Sequence, residues 1–113
     1  MGAKSRQKGC RGERECAAEL RRLFGVEACR GRQYHGGDES PDLRTAIAGV
    51  HFEVKRVEAF RLYEAVAQAV ADAGENVPVV LHRSNNRPWI AIVRLEDVPR
   101  LAVQLYLTLA QNQ

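Results

Sequence analysis

Apolar residues recur along this chain with two periods. Cys16, Leu20, Leu23 and Phe24 fall at i, i+4, i+7 and i+8, one helical stripe, which predicts a helix over 9–24 with Gly25 as its stop. Leu62, Val66, Ala69, Val70 and Ala73 repeat that spacing over 59–74, with Gln68 on the flank and Gly74 at the end. A last helix over 97–111 starts at Asp97 as N-cap, with Pro99 in its first turn. Its inward stripe is Val98, Leu101, Ala102, Leu105 and Leu109. Val103, Leu107 and Ala110 form a second apolar strip, with Tyr106 between the two. The segments between these helices read as strands. A short one is expected over 26–29. Strands over 42–45 and 50–56, joined by a turn at Ala48-Gly49, predict one hairpin. Strands over 79–82 and 89–93, joined through Ser84-Asn85-Asn86-Arg87-Pro88, predict another. Helix, strand, hairpin, helix, hairpin, helix implies an α/β domain: a central mixed β-sheet flanked by helices on both faces.

At 113 residues the chain is one domain, small enough to gain from a partner. A terminal helix that is apolar beyond one face points to a homodimer contact. No apolar run reaches the roughly 18–20 residues of a membrane span, and the polar, basic start lacks the apolar core of a signal peptide. No membrane partner is expected, and a cytoplasmic protein is. Cys10, Cys16 and Cys29 cannot all pair within one chain and read as free thiols. Zinc fits poorly, because there is no C-x-x-C pair and His35, His51 and His82 lie at no recognised ligand spacing.

The net charge of +3 is unevenly placed. Residues 1–35 hold Lys4, Arg6, Lys8, Arg11, Arg14, Arg21, Arg22, Arg30 and Arg32 against four acids. Residues 1–8 read as a mobile basic arm. A basic N-terminal third suits a polyanion, nucleic acid being the commonest, and suits equally a solvated face.

The strand over 50–56 carries the chemistry. Alternation puts His51, Glu53 and Lys55 on one side and Phe52 and Val54 on the other. A carboxylate and an ammonium on an otherwise apolar strand are costly to bury without a purpose. Asp42 ends a glycine-rich loop over 34–41. If its strand pairs with the next, Asp42 approaches Glu53 closely enough to bridge a metal. Glu13 lies at the end of the first helix's buried stripe, either aimed at the same place or complementing the helix dipole. Oxygen ligands favour magnesium or manganese over zinc.

Lys8-Gly9-Cys10-Arg11-Gly12-Glu13-Arg14-Glu15, then Ser40-Pro41-Asp42-Leu43, then Phe52-Glu53-Val54-Lys55 resemble the PD-(D/E)XK nuclease superfamily. More narrowly they resemble Hjc-type Holliday junction resolvases, archaeal or phage-encoded. The likeness spans about residues 8–93, and the opening helix motif is its most specific part. It implies a restriction-endonuclease-like core and a magnesium-dependent enzyme, with manganese able to substitute, that resolves four-way DNA junctions by paired nicks as a homodimer. Carried over, Asp42 and Glu53 are metal ligands, Glu13 is the helix acid that binds or orients the metal, and Lys55 is the catalytic lysine. Arg30 contacts scissile-strand phosphate, and Gln68 stands near the attacking water. Lys4, Arg6, Lys8, Arg11, Arg14 and Arg32 complete the DNA-binding set, gripping backbone without reading bases. The loop before Asp42 is longer than the archaeal pattern and carries Asp38 and Glu39. Two other functions share these residues: a nuclease selective for flap, single-stranded or mismatched DNA, and a non-catalytic DNA-binding dimer.

Overall fold

The computed structural model of the chain describes residues 3–31 and 42–111, with side chains from Cys10 onward. Helix α1 spans Ala3–Phe24 and is followed by strands β1 (Ala28–Arg30), β2 (Leu43–Thr45) and β3 (Val50–Arg56). Helix α2 (Leu62–Ala73) leads to β4 (Val77–Arg83) and β5 (Ile90–Ile92). A 3₁₀ turn at Leu95–Asp97 then opens α3 (Val98–Gln111). The helix thus begins at Ala3, so residues 3–8, expected as an arm, continue α1. Gly25 ends α1 as expected. Its φ of 65° is the left-handed cap conformation, and its N–H donates to Arg21 O at 2.9 Å.

The main sheet is mixed, in the order β3-β4-β5. Strands β3 and β4 are parallel, from Val50 opposite Val77 to Arg56 opposite Arg83, and α2 makes the crossover. Strands β4 and β5 are antiparallel, which is the second expected hairpin. The first expected hairpin does not form. Strand β2 pairs instead with β1, antiparallel, with Ala28 opposite Thr45 and Arg30 opposite Leu43. Only three residues long, β2 pairs through that ladder, which leaves one edge of β3 outside the strand pairing among the described residues.

The helices divide between the two faces of the sheet. Cys16, Ala17 and Leu20 of α1 pack on Phe52, Val79 and Leu81, and Leu101 and Leu105 of α3 close this main core. On the other face Ala65 and Ala69 of α2 lie on Val80, flanked by Phe60, Val66 and Ile92. Each fully buried Val or Leu here contributes about 1.5–3 kcal/mol. Alanines make the buried seam of α2, so the helix sits close to the strands and its longer side chains reach them. Leu62, expected inward, is 39 % exposed, because the buried row is Ala65, Ala69 and Ala73. Leu23 likewise faces out, displaced from the α1 stripe by Ala17. Helix α3 leaves Val103, Tyr106 and Leu107 exposed, and with them Val98 and Leu109, both expected on its inward stripe. Among the described residues no helix is long and apolar enough to cross a membrane. All three cysteines are free, and burial pushes the Cys16 thiol up to about 12, with Glu19 and Glu15 adding to it.

Candidate functional site

Among the described residues strand β3 hydrogen-bonds to a neighbouring strand on one side only, so its outer N–H groups need acceptors from elsewhere. Asp42 supplies one: its Oδ2 accepts the Val54 N–H at 2.8 Å. The backbone holds Asp42 there. One step beyond the β1–β2 ladder, the Gly31 N–H donates to Asp42 O at 2.9 Å. A carboxylate therefore docks edge-on against β3, although β2 itself never pairs with that strand.

Glu53, 4 % exposed, projects from β3 beside it. Burial, a hydrogen bond to Glu53, and the charges of Glu53 and Glu13 push the Asp42 carboxyl up to about 7, against the pull of the Val54 N–H. Burial also acts against ionised Glu53, but His51, Asp42 and Lys55 together hold that carboxyl below its ordinary value. Near neutrality the pair thus shares a proton, carried on Asp42 and given to Glu53. Two acids that need a positive particle between them are suited to a cation.

Glu13 reaches the site from α1, on the opposite face of the sheet. Its Oε2 accepts from Arg30 Nε at 2.8 Å. Gly12 makes the approach possible: a Cβ built there falls 2.4 Å from Arg56 Cβ, so only glycine lets α1 lie this near the end of β3. Arg56 is fixed in turn by Glu58 at 3.0 Å and Asn85 at 2.7 Å. On the α2 side, Lys55 Nζ donates to Gln68 Oε1 at 2.9 Å. A cleft of about 220 Å³ opens beside that pair, lined also by Phe60, Arg61 and Glu64.

The predicted residues thus divide into groups. Asp42 and Glu53 meet, with Glu13 close enough to act on them electrostatically. Lys55 and Gln68 are bonded to each other, and Arg30 is bonded to Glu13. Arg11 and Arg14 are exposed on α1. The side chains of Lys4, Arg6 and Lys8, together with Arg32 and the loop bearing Asp38 and Glu39, lie outside the described residues. A larger cavity of about 680 Å³ lies elsewhere, between α1 and the β4–β5 turn. Two of its arginines are already paired, Arg83 with Glu15 and Arg22 with Glu19.

Sequence reasoning missed one grouping. His51, Glu53 and Asp72 bring one ligand atom each to within 4.8 Å of one another. The signal was the register between β3 and α2. The crossover helix runs back along the strand, so the row 51, 53, 55 meets 72 and then 68. Spacing along the chain does not single out His51 as a ligand, because its partner lies across a helix–strand interface.

No protein-family model, curated protein or solved structure matches the chain.

Proposed function

We propose that this protein is a divalent-metal-dependent endonuclease with a restriction-endonuclease-like core, cutting four-way DNA junctions as a homodimer. The observation that carries the reading is the meeting of Asp42 with Glu53 at the open edge of β3, with Lys55 two residues further along. The donors fit magnesium: two desolvated carboxylates, all oxygen, already sharing a proton where a cation would sit. Magnesium held there supplies electrophilic activation of a phosphodiester and a more acidic water.

The chain's own residues do the rest. Asp42 and Glu53 hold the ion, and Glu13 adds negative charge from the α1 side. Lys55, steadied by Gln68, neutralises charge building on the phosphoryl oxygens. Arg30, presented at the surface by β1, exchanges Glu13 for a backbone phosphate when DNA binds. Arg11 and Arg14 extend the contact along the duplex arms. Opposed nicks need two sites related by a two-fold axis, and the exposed strip Val103, Leu107 and Ala110 of α3 is the surface on which two copies join.

The test is cleavage of a labelled synthetic four-way junction beside flap and linear duplex substrates, with and without magnesium. Asp42→Asn and Glu53→Gln are expected to abolish cutting while junction binding survives. Wild-type rates in either variant would defeat the assignment. Preferential cutting of flap DNA would replace the junction with another branched substrate.

A further inference from the structure

Beneath the edge where Asp42 docks, the α2-facing side of β3 carries a feature that the proposed nuclease does not use. His51 is 8 % exposed, and among the described residues its Nε2 has no hydrogen-bond partner. An imidazole nitrogen sealed from water with nothing to bond is unfavourable, and such groups ordinarily have a partner. The atom points towards Glu53 Oε1, 3.7 Å away, too far for a hydrogen bond. That gap is suited to an intervening particle bonded to both. Asp72 of α2 closes the group, with one ligand atom from each of the three residues within 4.8 Å of the others. Asp72 is exposed, which gives an ion a way in from solvent.

We infer that His51, Glu53 and Asp72 form a second cation site, distinct from the Asp42–Glu53 position, that takes a first-row transition dication. The ligand chemistry selects the class. One imidazole nitrogen with two carboxylates suits zinc, cobalt or manganese, whereas magnesium prefers oxygen alone and keeps much of its water. Three protein ligands leave coordination positions open, so the site has the form of an exchangeable centre rather than a closed structural one. Glu53 is common to both positions, so an ion held by His51 and Asp72 draws on the carboxylate that the nuclease reading assigns to magnesium. The inference stands on its own ligands and does not need that reading to hold.

Cobalt(II) titration of the full chain, followed by visible absorption and by calorimetry, tests it. One cobalt per chain is expected, with the weak bands of a nitrogen–oxygen site and no intense thiolate charge-transfer band. Zinc should displace it, and tenfold excess magnesium should not. Asp72→Asn and His51→Asn are each expected to weaken cobalt binding at least tenfold, and Asp42→Asn less than threefold. Because Asp72 is exposed, its variant is expected to fold. Circular dichroism confirms that before titration. Cobalt affinity within twofold of wild type in a folded Asp72→Asn overturns the inference, as does a thiolate band. Either result leaves magnesium-dependent cutting as a separate question. Conversely, intact cobalt binding without DNA cleavage removes the nuclease reading alone.

Discussion

If Asp42 and Glu53 are held together for a cation, the metal-free protein should be strained there, and Asp42→Asn should relieve it. Asparagine keeps an oxygen to accept the Val54 N–H, and its amide hydrogens can face Glu53. The Asp42 carboxyl rises from an ordinary 3.8 to about 7. At about 1.4 kcal/mol per tenfold change, ionising it in the fold costs about 4–5 kcal/mol at most. Glu53 moves the opposite way and returns part of this, so about 1–3 kcal/mol is expected. The sign follows from the direction. An acid whose folded value is raised contributes full stability below 3.8 and loses it as pH climbs through 7. Asparagine does not titrate, so its advantage should be small near pH 4 and complete by pH 8. Urea unfolding in chelator at those two pH values measures it. Excess magnesium should then narrow the gap, because the wild type gains more from binding. A variant no more stable than wild type at pH 8, or an advantage independent of pH, would refute the picture of two carboxylates forced together.

Gly12→Ala places a methyl 2.4 Å from Arg56 Cβ. It should cost about 1–3 kcal/mol, read as a melting point lower by roughly 4–20 °C, and should separate Glu13 from the acid pair. Lys55→Met should lower cleavage about 10²–10³-fold, while Gln68→Leu, which only removes the lysine's partner, should cost about 10–100-fold. Cleavage at the wild-type rate in Gln68→Leu would argue against a defined role for the glutamine. Val103→Glu with Leu107→Glu puts charge on the exposed strip of α3. Light scattering should then report a monomer, and junctions should receive single nicks in place of paired ones. A dimer unchanged by both charges would move the contact elsewhere.

Local pattern made much of this arrangement readable. The alternation that separates His51, Glu53 and Lys55 from Phe52 and Val54 is present in the structure, since Phe52 joins the α1 core while Glu53 sits opposite Val80 beneath α2. The caps at Gly25 and Gly74 also follow from residue type, both with positive φ. What escaped was pairing. Residues 42–45 and 50–56 are near in sequence and read as a hairpin, but the turn at Ala48-Gly49 serves a different end. Gly49 adopts φ 76° and its carbonyl accepts the Val77 N–H at 2.8 Å, starting the parallel ladder with β4. Strand choice depends on what else competes for the edge, and β1 competed successfully for β2. Which side of a helix is buried also escaped, at Leu62 and Leu23, because small residues at Ala65 and Ala17 permit closer approach than hydrophobicity alone suggests.

The failed hairpin explains why the site exists. Had β2 paired with β3, the Val54 N–H would have gone to a backbone carbonyl, and Asp42 would have been one strand residue among others. Because β2 turns away to β1, β3 keeps an edge unpaired among the described residues, and the Asp42 side chain takes up its Val54 N–H. The acid that satisfies it is drawn out of water and against Glu53. Glu13 and Arg30, paired with each other, stand on the far face, where Gly12 lets α1 lie close against Arg56. Around one strand edge, then, the chain gathers acids from α1, from the approach to β2 and from β3, with Lys55 and Gln68 beside them. A cation would relieve the local repulsion that this gathering creates. Folding stability and metal binding therefore oppose each other at Asp42, so a substitution there that abolishes function should be the one that makes the empty protein harder to unfold.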